Sequence, residues 1–280
     1  MASIGTVWKQ LLWDCYNNGK DVTKDDSEIR EMLGNYIFLE RPQDIFVPGR
    51  QEVNDPKRFL ELMDQGVYDI KGYPFKTEAL YDYVNSLNSD KHIFCSDKEE
   101  YAALYGEIER PCNSEVLICS DDDCAENMIP KPFVYTYPER LLHQYNIVDF
   151  DYDKDLTELG YIDQFNTMVR RLRTNMGTNR AVATIYHPGI DKEREDIPCL
   201  NWLQATIRDE KLELHVMFRS NDLYGAWPSN MYFLTYLGLC MVDQIRKIPK
   251  PKFNGIHYHS SSLHIYKPNL EEVKKILDAV

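Results

Sequence analysis

Residues 198–230 read PCLNWLQATIRDEKLELHVMFRSNDLYGAWPSN. Two runs, Leu200 to Ile207 and Leu212 to Phe218, predict strands, and Asp209-Glu210 between them predicts a hairpin. The second strand ends in Arg219, Ser220, Asn221, Asp222, Ser229 and Asn230, too many polar heads for a core element. Cys199, after Pro198, opens the first strand, so the hairpin sets it beside the strand-closing Arg219. A free cysteine is commonly a small buried hydrophobe. It becomes a nucleophile where a nearby positive charge lowers its pKa. The planar fork of Arg219 suits either a phosphate or a structural ion pair. Asn230 offers a donor and an acceptor to a pyrimidine edge, or an N-cap to a helix starting near Met231. A guanidinium, an amide and a thiol together suggest a nucleotide enzyme with a covalent intermediate.

Outward from this run, the elements alternate. Residues 3–18 carry apolar positions at helical spacing and stop at Asn18-Gly19. A polar stretch, Lys20 to Ser27, leads to a strand-like run from Ile29 to Leu39, closed by Pro42. Arg58 to Gln65 and Thr77 to Leu87 read as helices. Tyr161 to Arg173 reads as an amphipathic helix and Ala181 to Tyr186 as a buried strand. Met231 to Arg246 is an apolar, central helix, and Gly255 to Tyr266 a last strand region. Residues 88–131, with the run SDDDCAEN, are the least patterned and read as an acidic insertion. With no repeat and no linker, residues 1–280 are expected to form one α/β (α+β) domain.

The 280 residues suffice for a sizeable core. The net charge of −13, from 45 acidic against 32 basic residues, argues against a polymeric nucleic-acid partner, which needs a basic face. A small anion in a local Arg/Lys pocket is compatible with that balance. No basic leader followed by an apolar run opens the chain, and Met231 to Val242 is too short to span a bilayer. A cytoplasmic protein with no membrane partner is the expectation. The seven cysteines (15, 95, 112, 119, 124, 199 and 240) form no C-x-x-C pair and read as free thiols. Cys112, Cys119 and Cys124 match no zinc spacing. His257 and His259 share a face that His264 does not in an unbroken strand, so no metal is expected. His264 and Tyr266 alternate on one face, as half-buried sheet residues or as groups that bind a sugar hydroxyl.

Taken in order, these segments resemble the thymidylate synthase superfamily over about two-thirds of the chain, most densely from Tyr161 to Tyr266. The motifs are the Pro-Cys at Cys199; the block Arg219, Ser220, Asp222, Pro228 and Asn230; and His264-Ile265-Tyr266. YIDQFNTMVRRLR and TNRAVATIY look like the family's I-D-Q helix and Arg-bearing strand entry. The wording is closest to the archaeal-type branch and to pyrimidine-nucleotide hydroxymethylases.

The resemblance implies a mixed sheet covered by helices. It also implies a homodimer with shared sites and 5,10-methylenetetrahydrofolate as co-substrate. Cys199 would add to C6 of the pyrimidine. Arg219 and Ser220 would hold the 5′-phosphate, and Arg219 would keep Cys199 as thiolate. Arg180 would reach the phosphate of the neighbouring subunit's ligand, with Asn179 standing where the family has a second arginine. Lys24 would sit on an N-terminal phosphate loop, with Arg30 as its competitor. Asp222 would bind the pterin. Asn230 would read O4 and N3, a residue type that goes with uracil. His264 and Tyr266 would bind the sugar 3′-hydroxyl. Tyr137 matches the tyrosine of the proton network, although Pro138 replaces a glycine. Glu78 is the candidate general acid/base, with Glu100 behind it.

Three departures bear on water and folate handling. Leu200 stands where many synthases have His, the folate-facing Trp has no counterpart between Trp13 and Trp202, and the chain ends fourteen residues after Tyr266. These departures leave methyl and hydroxymethyl products both open. With Asn230 favouring uracil, the expected reaction is dUMP to dTMP, with 5-hydroxymethylation of dUMP, dCMP or CMP as the alternative. An inactive nucleotide-binding homologue is the remote third.

Overall fold

The computed structural model describes residues 4–24, 27–43, 53, 55–64, 137–142, 144–145, 161–192 and 197–279. In chain order the elements are α1 (Ile4–Asn18), β1 (Lys20–Lys24), β2 (Ser27–Glu40), α2 (Pro56–Asp64), α3 (Tyr137–Leu142), β3 (Gln144–Tyr145), β4 (Tyr161–Ile162), α4 (Gln164–Thr174), β5 (Val182–Thr184), α5 (Pro188–Asp191), β6 (Leu200–Arg208), β7 (Lys211–Phe218), β8 (Asn221–Asp222), α6 (Trp227–Gln244), β9 (Lys252–Tyr266), a 3₁₀ turn at Lys267–Asn269 and α7 (Leu270–Asp278). The mixed sheet runs β1-β2-β9-β7-β6-β5, with β8 beside β9. Pairing is antiparallel except where β9 lies parallel to β7 and to β8. The α+β architecture expected from the sequence is present.

The β6–β7 hairpin forms where expected. Asp209 and Glu210 both take positive φ, 49° and 60°, the backbone of a two-residue turn whose twist matches the strands. α6 supplies the crossover that the parallel β7–β9 pair requires. Trp227 through Val242 are all buried, and α6 packs against β7, β9, α1 and α2. At Gly238 any Cβ would lie 2.3 Å from the Phe253 ring, so the missing side chain sets how closely α6 approaches β9. Arg173 of α4 donates to the Gln244 carbonyl from Nε and Nη2 (3.0 and 2.6 Å), closing the C-terminus of α6.

Four expectations shift. Lys20–Lys24 is a strand, paired along its length with β2, and not merely a polar connection. α4 starts at Gln164, capped by Asp163, whose carboxylate accepts from Asn166 N at 2.8 Å, while Tyr161–Ile162 pairs as β4. β5 is only Val182–Thr184 and lies at the sheet edge, where the Gln164 carboxamide bonds Thr184 N (3.0 Å) and Thr184 O (2.8 Å) like an added strand. α6 begins at Trp227 with Pro228 in its first turn, so Asn230 lies inside the helix and is not its N-cap. The predicted helix at Thr77–Leu87, the stretch 88–131, Glu78 and Glu100 lie outside the described residues.

Candidate active site

Cys199 sits just before β6, half-buried, and its carbonyl accepts from Arg219 N at 2.8 Å. The sulfur lies 3.7 Å from Ser220 Oγ. The Arg219 guanidinium is tied to the segment carrying the cysteine. Nη2 donates to Ile197 O at 2.6 Å, Nε to Pro198 O at 3.2 Å and Nη1 to Ser220 Oγ at 3.1 Å. The guanidinium and the thiol thus share Ser220 Oγ as a neighbour, at 3.1 and 3.7 Å. By contrast, Cys15 and Cys240 are buried, and burial pushes both thiols up to about 12. Neither is a nucleophile at neutral pH.

Lys24 and Arg219 both act on His264, which reaches the site from β9. Its ring is 3% exposed, and neither nitrogen has a hydrogen-bond partner. Burial first, then Lys24 and Arg219, push its pKa down to about 4, so it is a neutral imidazole. Buried polar groups without partners are rare and call for a reason. An unpaired neutral ring thus lies within electrostatic reach of two cations. Tyr266 meets His264 edge-on, with ring centroids 5.1 Å apart.

Asn230, buried in the first turn of α6, donates from Nδ2 to Asn221 Oδ1 at 3.2 Å. Asp222 shapes the turn between β8 and α6. Its Oδ1 accepts from Tyr224 N at 3.0 Å, and a Cβ at Gly225 would lie 2.4 Å from its Oδ2. Tyr137, buried at the start of α3, packs edge-on against Phe218 with centroids 6.3 Å apart. Phe218 in turn faces Leu200, the neighbour of Cys199.

The structure thus gathers Cys199, Arg219, Ser220, His264 and Lys24, with Tyr266 and Asn230 on the adjoining strand end and helix turn. Arg30 is not among them. Its Nε pairs with Asp21 Oδ1 at 2.8 Å, and Nη1 donates to Tyr16 O at 2.8 Å, joining the β1–β2 hairpin to the end of α1. Arg180 is exposed ahead of β5, on the opposite side of the sheet order from the β1 that bears Lys24.

Two features escaped the sequence reading. One is the buried pair Asn221 and Tyr258, with Nδ2 to the phenol oxygen at 3.1 Å. The other is a group on the outer sheet face, Glu213, His215 and His257, whose candidate ligand atoms lie within 4.8 Å of one another. It draws on β7 and β9, and not on the trio 257, 259 and 264 that the sequence brought up. The His215 and His257 rings are stacked within 3°, centroids 4.3 Å apart, so their in-plane lone pairs run side by side and do not converge. Each ring has a hydrogen-bonded neighbour. His257 contacts Tyr36 Oη at 2.7 Å and Glu213 Oε2 at 2.9 Å, and His215 contacts Thr206 Oγ1 at 3.0 Å.

Comparison with known proteins identifies the family. The family model described as Thymidylate synthase matches residues 99–279, beginning inside the stretch 88–131 that the sequence sets apart. A protein of Methanococcoides burtonii named "Putative thymidylate synthase" is 30% identical over 188 residues, 66% of this chain and 82% of its own length. A protein of the same name from Methanosarcina acetivorans is 27% identical over 73% of this chain and 92% of its own. With one from Methanothermobacter marburgensis the identity is 30% over 52% of this chain, and the match spans 57% of that relative's length. This chain belongs to the thymidylate synthase family.

Proposed function

We propose that the chain transfers a one-carbon unit to C5 of a pyrimidine nucleoside monophosphate, dUMP in the first instance, through a Cys199–C6 adduct. The observation that carries this reading is the thiol of Cys199 sharing Ser220 with the anchored Arg219, which also acts on the neutral, unpartnered His264. Arg219, Ser220 and Lys24 take the 5′-phosphate, and His264 and Tyr266 take the sugar hydroxyl. Asn230 meets O4 and N3 of the base. Arg180 serves the phosphate site of a partner subunit.

When the Cys199 sulfur bonds to C6, the C5–C6 double-bond electrons move to C5, with charge shared by O4 next to Asn230. C5 becomes the nucleophile. After the one-carbon unit is attached, C5 loses its proton to a base, the role proposed for Glu78 with Tyr137 in the proton network. As the proton goes, the folate nitrogen leaves the attached carbon. Hydride (for methyl) or water (for hydroxymethyl) then adds to that carbon, and the returning electrons rebuild the C5–C6 double bond and expel the Cys199 sulfur. 5,10-Methylenetetrahydrofolate supplies the carbon and, for a methyl product, the hydride. Asp222, whose Oδ1 accepts from Tyr224 N at 3.0 Å, takes the pterin contact in this proposal.

One observation favours keeping the hydroxymethyl product as a second reading. Leu200, after the nucleophile, is fully buried and brings no polar group to the site. Dimerisation through the outer sheet face is part of the proposal, supported by the exposure there of Tyr36 at 55% and Met217 at 40%. No described helix is long and apolar enough to cross a membrane. The reaction needs a free thiol, which suits a reducing cytoplasm.

The test is a turnover assay with methylenetetrahydrofolate and dUMP, dCMP or CMP, with products identified by mass spectrometry. Gain of CH2 on dUMP is the expected result. Gain of CH2O selects the hydroxymethylase. No product on any nucleotide refutes the proposal.

A further inference from the structure

We propose that Asn221 is the residue that makes the site selective for a uracil-type base, by fixing which end of the Asn230 carboxamide faces the ligand. This rests on the reading of Asn230 as the base-contacting residue. An unrestrained carboxamide cannot choose between uracil and cytosine. Uracil presents an acceptor at O4 and a donor at N3; cytosine presents the reverse. A half-turn of the amide about its last torsion matches either pattern. Selectivity needs a neighbour that forbids the half-turn.

Asn221 is that neighbour. It is 2% exposed, and both ends of its carboxamide are bonded. Nδ2 donates to the Tyr258 oxygen at 3.1 Å, and Oδ1 accepts from Asn230 Nδ2 at 3.2 Å. In this hydrogen-bonded chain the Tyr258 oxygen accepts from Asn221 Nδ2, which leaves Asn221 Oδ1 toward Asn230. Asn230 must answer with Nδ2. Its Oδ1 and second N–H are left to the base, as an acceptor for N3–H and a donor to O4. Burial pushes the Tyr258 phenol up, so the chain keeps its protons across the working pH range. β8 makes this possible, because its parallel pairing of Asn221 with Leu263 carries residue 221 to β9, the strand of Tyr258.

Binding without folate tests the proposal apart from turnover. Affinities for dUMP, dCMP and 2-deoxyribose 5-phosphate are measured by calorimetry on the wild type and three variants. The wild type is expected to favour dUMP over dCMP. Asn221→Leu removes the fixed acceptor, and the dUMP/dCMP ratio falls by about tenfold or more, with 2-deoxyribose 5-phosphate affinity unchanged. Asn221→Asp can only accept, so it still orients Asn230 and keeps the ratio. A merely structural role would move stability in both variants and the ratio in neither. Tyr258→Phe frees Asn221 to turn and lowers the ratio by a smaller factor, which carries the test if Asn221→Leu does not fold. A wild-type ratio retained in Asn221→Leu, or in Tyr258→Phe where that variant carries the test, overturns the role of Asn221 while leaving the reaction standing. A wild type that binds neither nucleotide overturns the reading of the base site itself.

Discussion

Strand β9 carries two histidines in opposite conditions. His257, on the outer face, is bonded at both nitrogens, to Tyr36 and Glu213, and stacks on His215. His264, seven residues later, is deeper, bonded at neither nitrogen, and flanked by Lys24 and Arg219. The first group is complete within the chain and has polar partners for each ring. The second costs folding free energy as it stands, because a buried polar group without a partner forfeits its hydration. On the proposed function, that difference is what sets the ligand cluster apart from the outer-face group.

Substitutions can break this contrast. The largest effect is expected at Cys199, the one half-buried thiol among the described cysteines. Cys199→Ala should lower turnover at least about thousandfold, with nucleotide affinity kept within about threefold by calorimetry. Next, His264→Leu should lower dUMP affinity by about tenfold and at the same time stabilise the fold by about 1 kcal/mol in urea denaturation. Opposite signs on binding and stability are the signature of a group held for a ligand. A variant that loses both would place His264 in the scaffold. His257→Leu should do the reverse. It strips Glu213 and Tyr36 of a partner and destabilises by about 1–2 kcal/mol, with dUMP affinity unchanged.

The smallest effect is in the pH dependence. His264 has a folded pKa of about 4 against an ordinary 6.5, and burial also lowers His187 and His215. For each, the folded state binds fewer protons than the unfolded state below the ordinary value. Stability is therefore full above about pH 6.5 and declines toward pH 4. His264→Leu should flatten part of that slope in denaturation curves taken across the window. An unchanged slope would mean that His264 is not the buried neutral ring described.

Much of the frame was legible in the residues because its signals are local. Strand-type runs on either side of Asp209-Glu210 specify the β6–β7 hairpin, and the apolar run after Pro228 specifies a core helix. The helix starts at Trp227, four residues before the expected Met231, because Asn230 reads as an N-cap while Pro228 sits in the first turn, where proline starts a helix. β1 was missed because Lys20–Lys24 has no apolar alternation. It is held by backbone pairing to β2 at an edge. Lys24 and Arg30 could not be ranked until the hairpin register tied Arg30 to Asp21 and Tyr16 and left Lys24 acting on His264. Asn221 drew no role in the Arg-Ser-Asn-Asp run, since its partner Tyr258 lies 37 residues away and is reached only through β8.

The central claim, that Cys199 activates C5 of dUMP for bond formation, has a direct measurement. With tritium at C5 of dUMP and methylenetetrahydrofolate present, each turnover must expel that hydrogen to water, because carbon takes its place. The wild type is predicted to release tritium in step with product, and Cys199→Ala to release none above background. Tritium release by Cys199→Ala at the wild-type rate, or product formed by the wild type with the label retained at C5, would contradict the account.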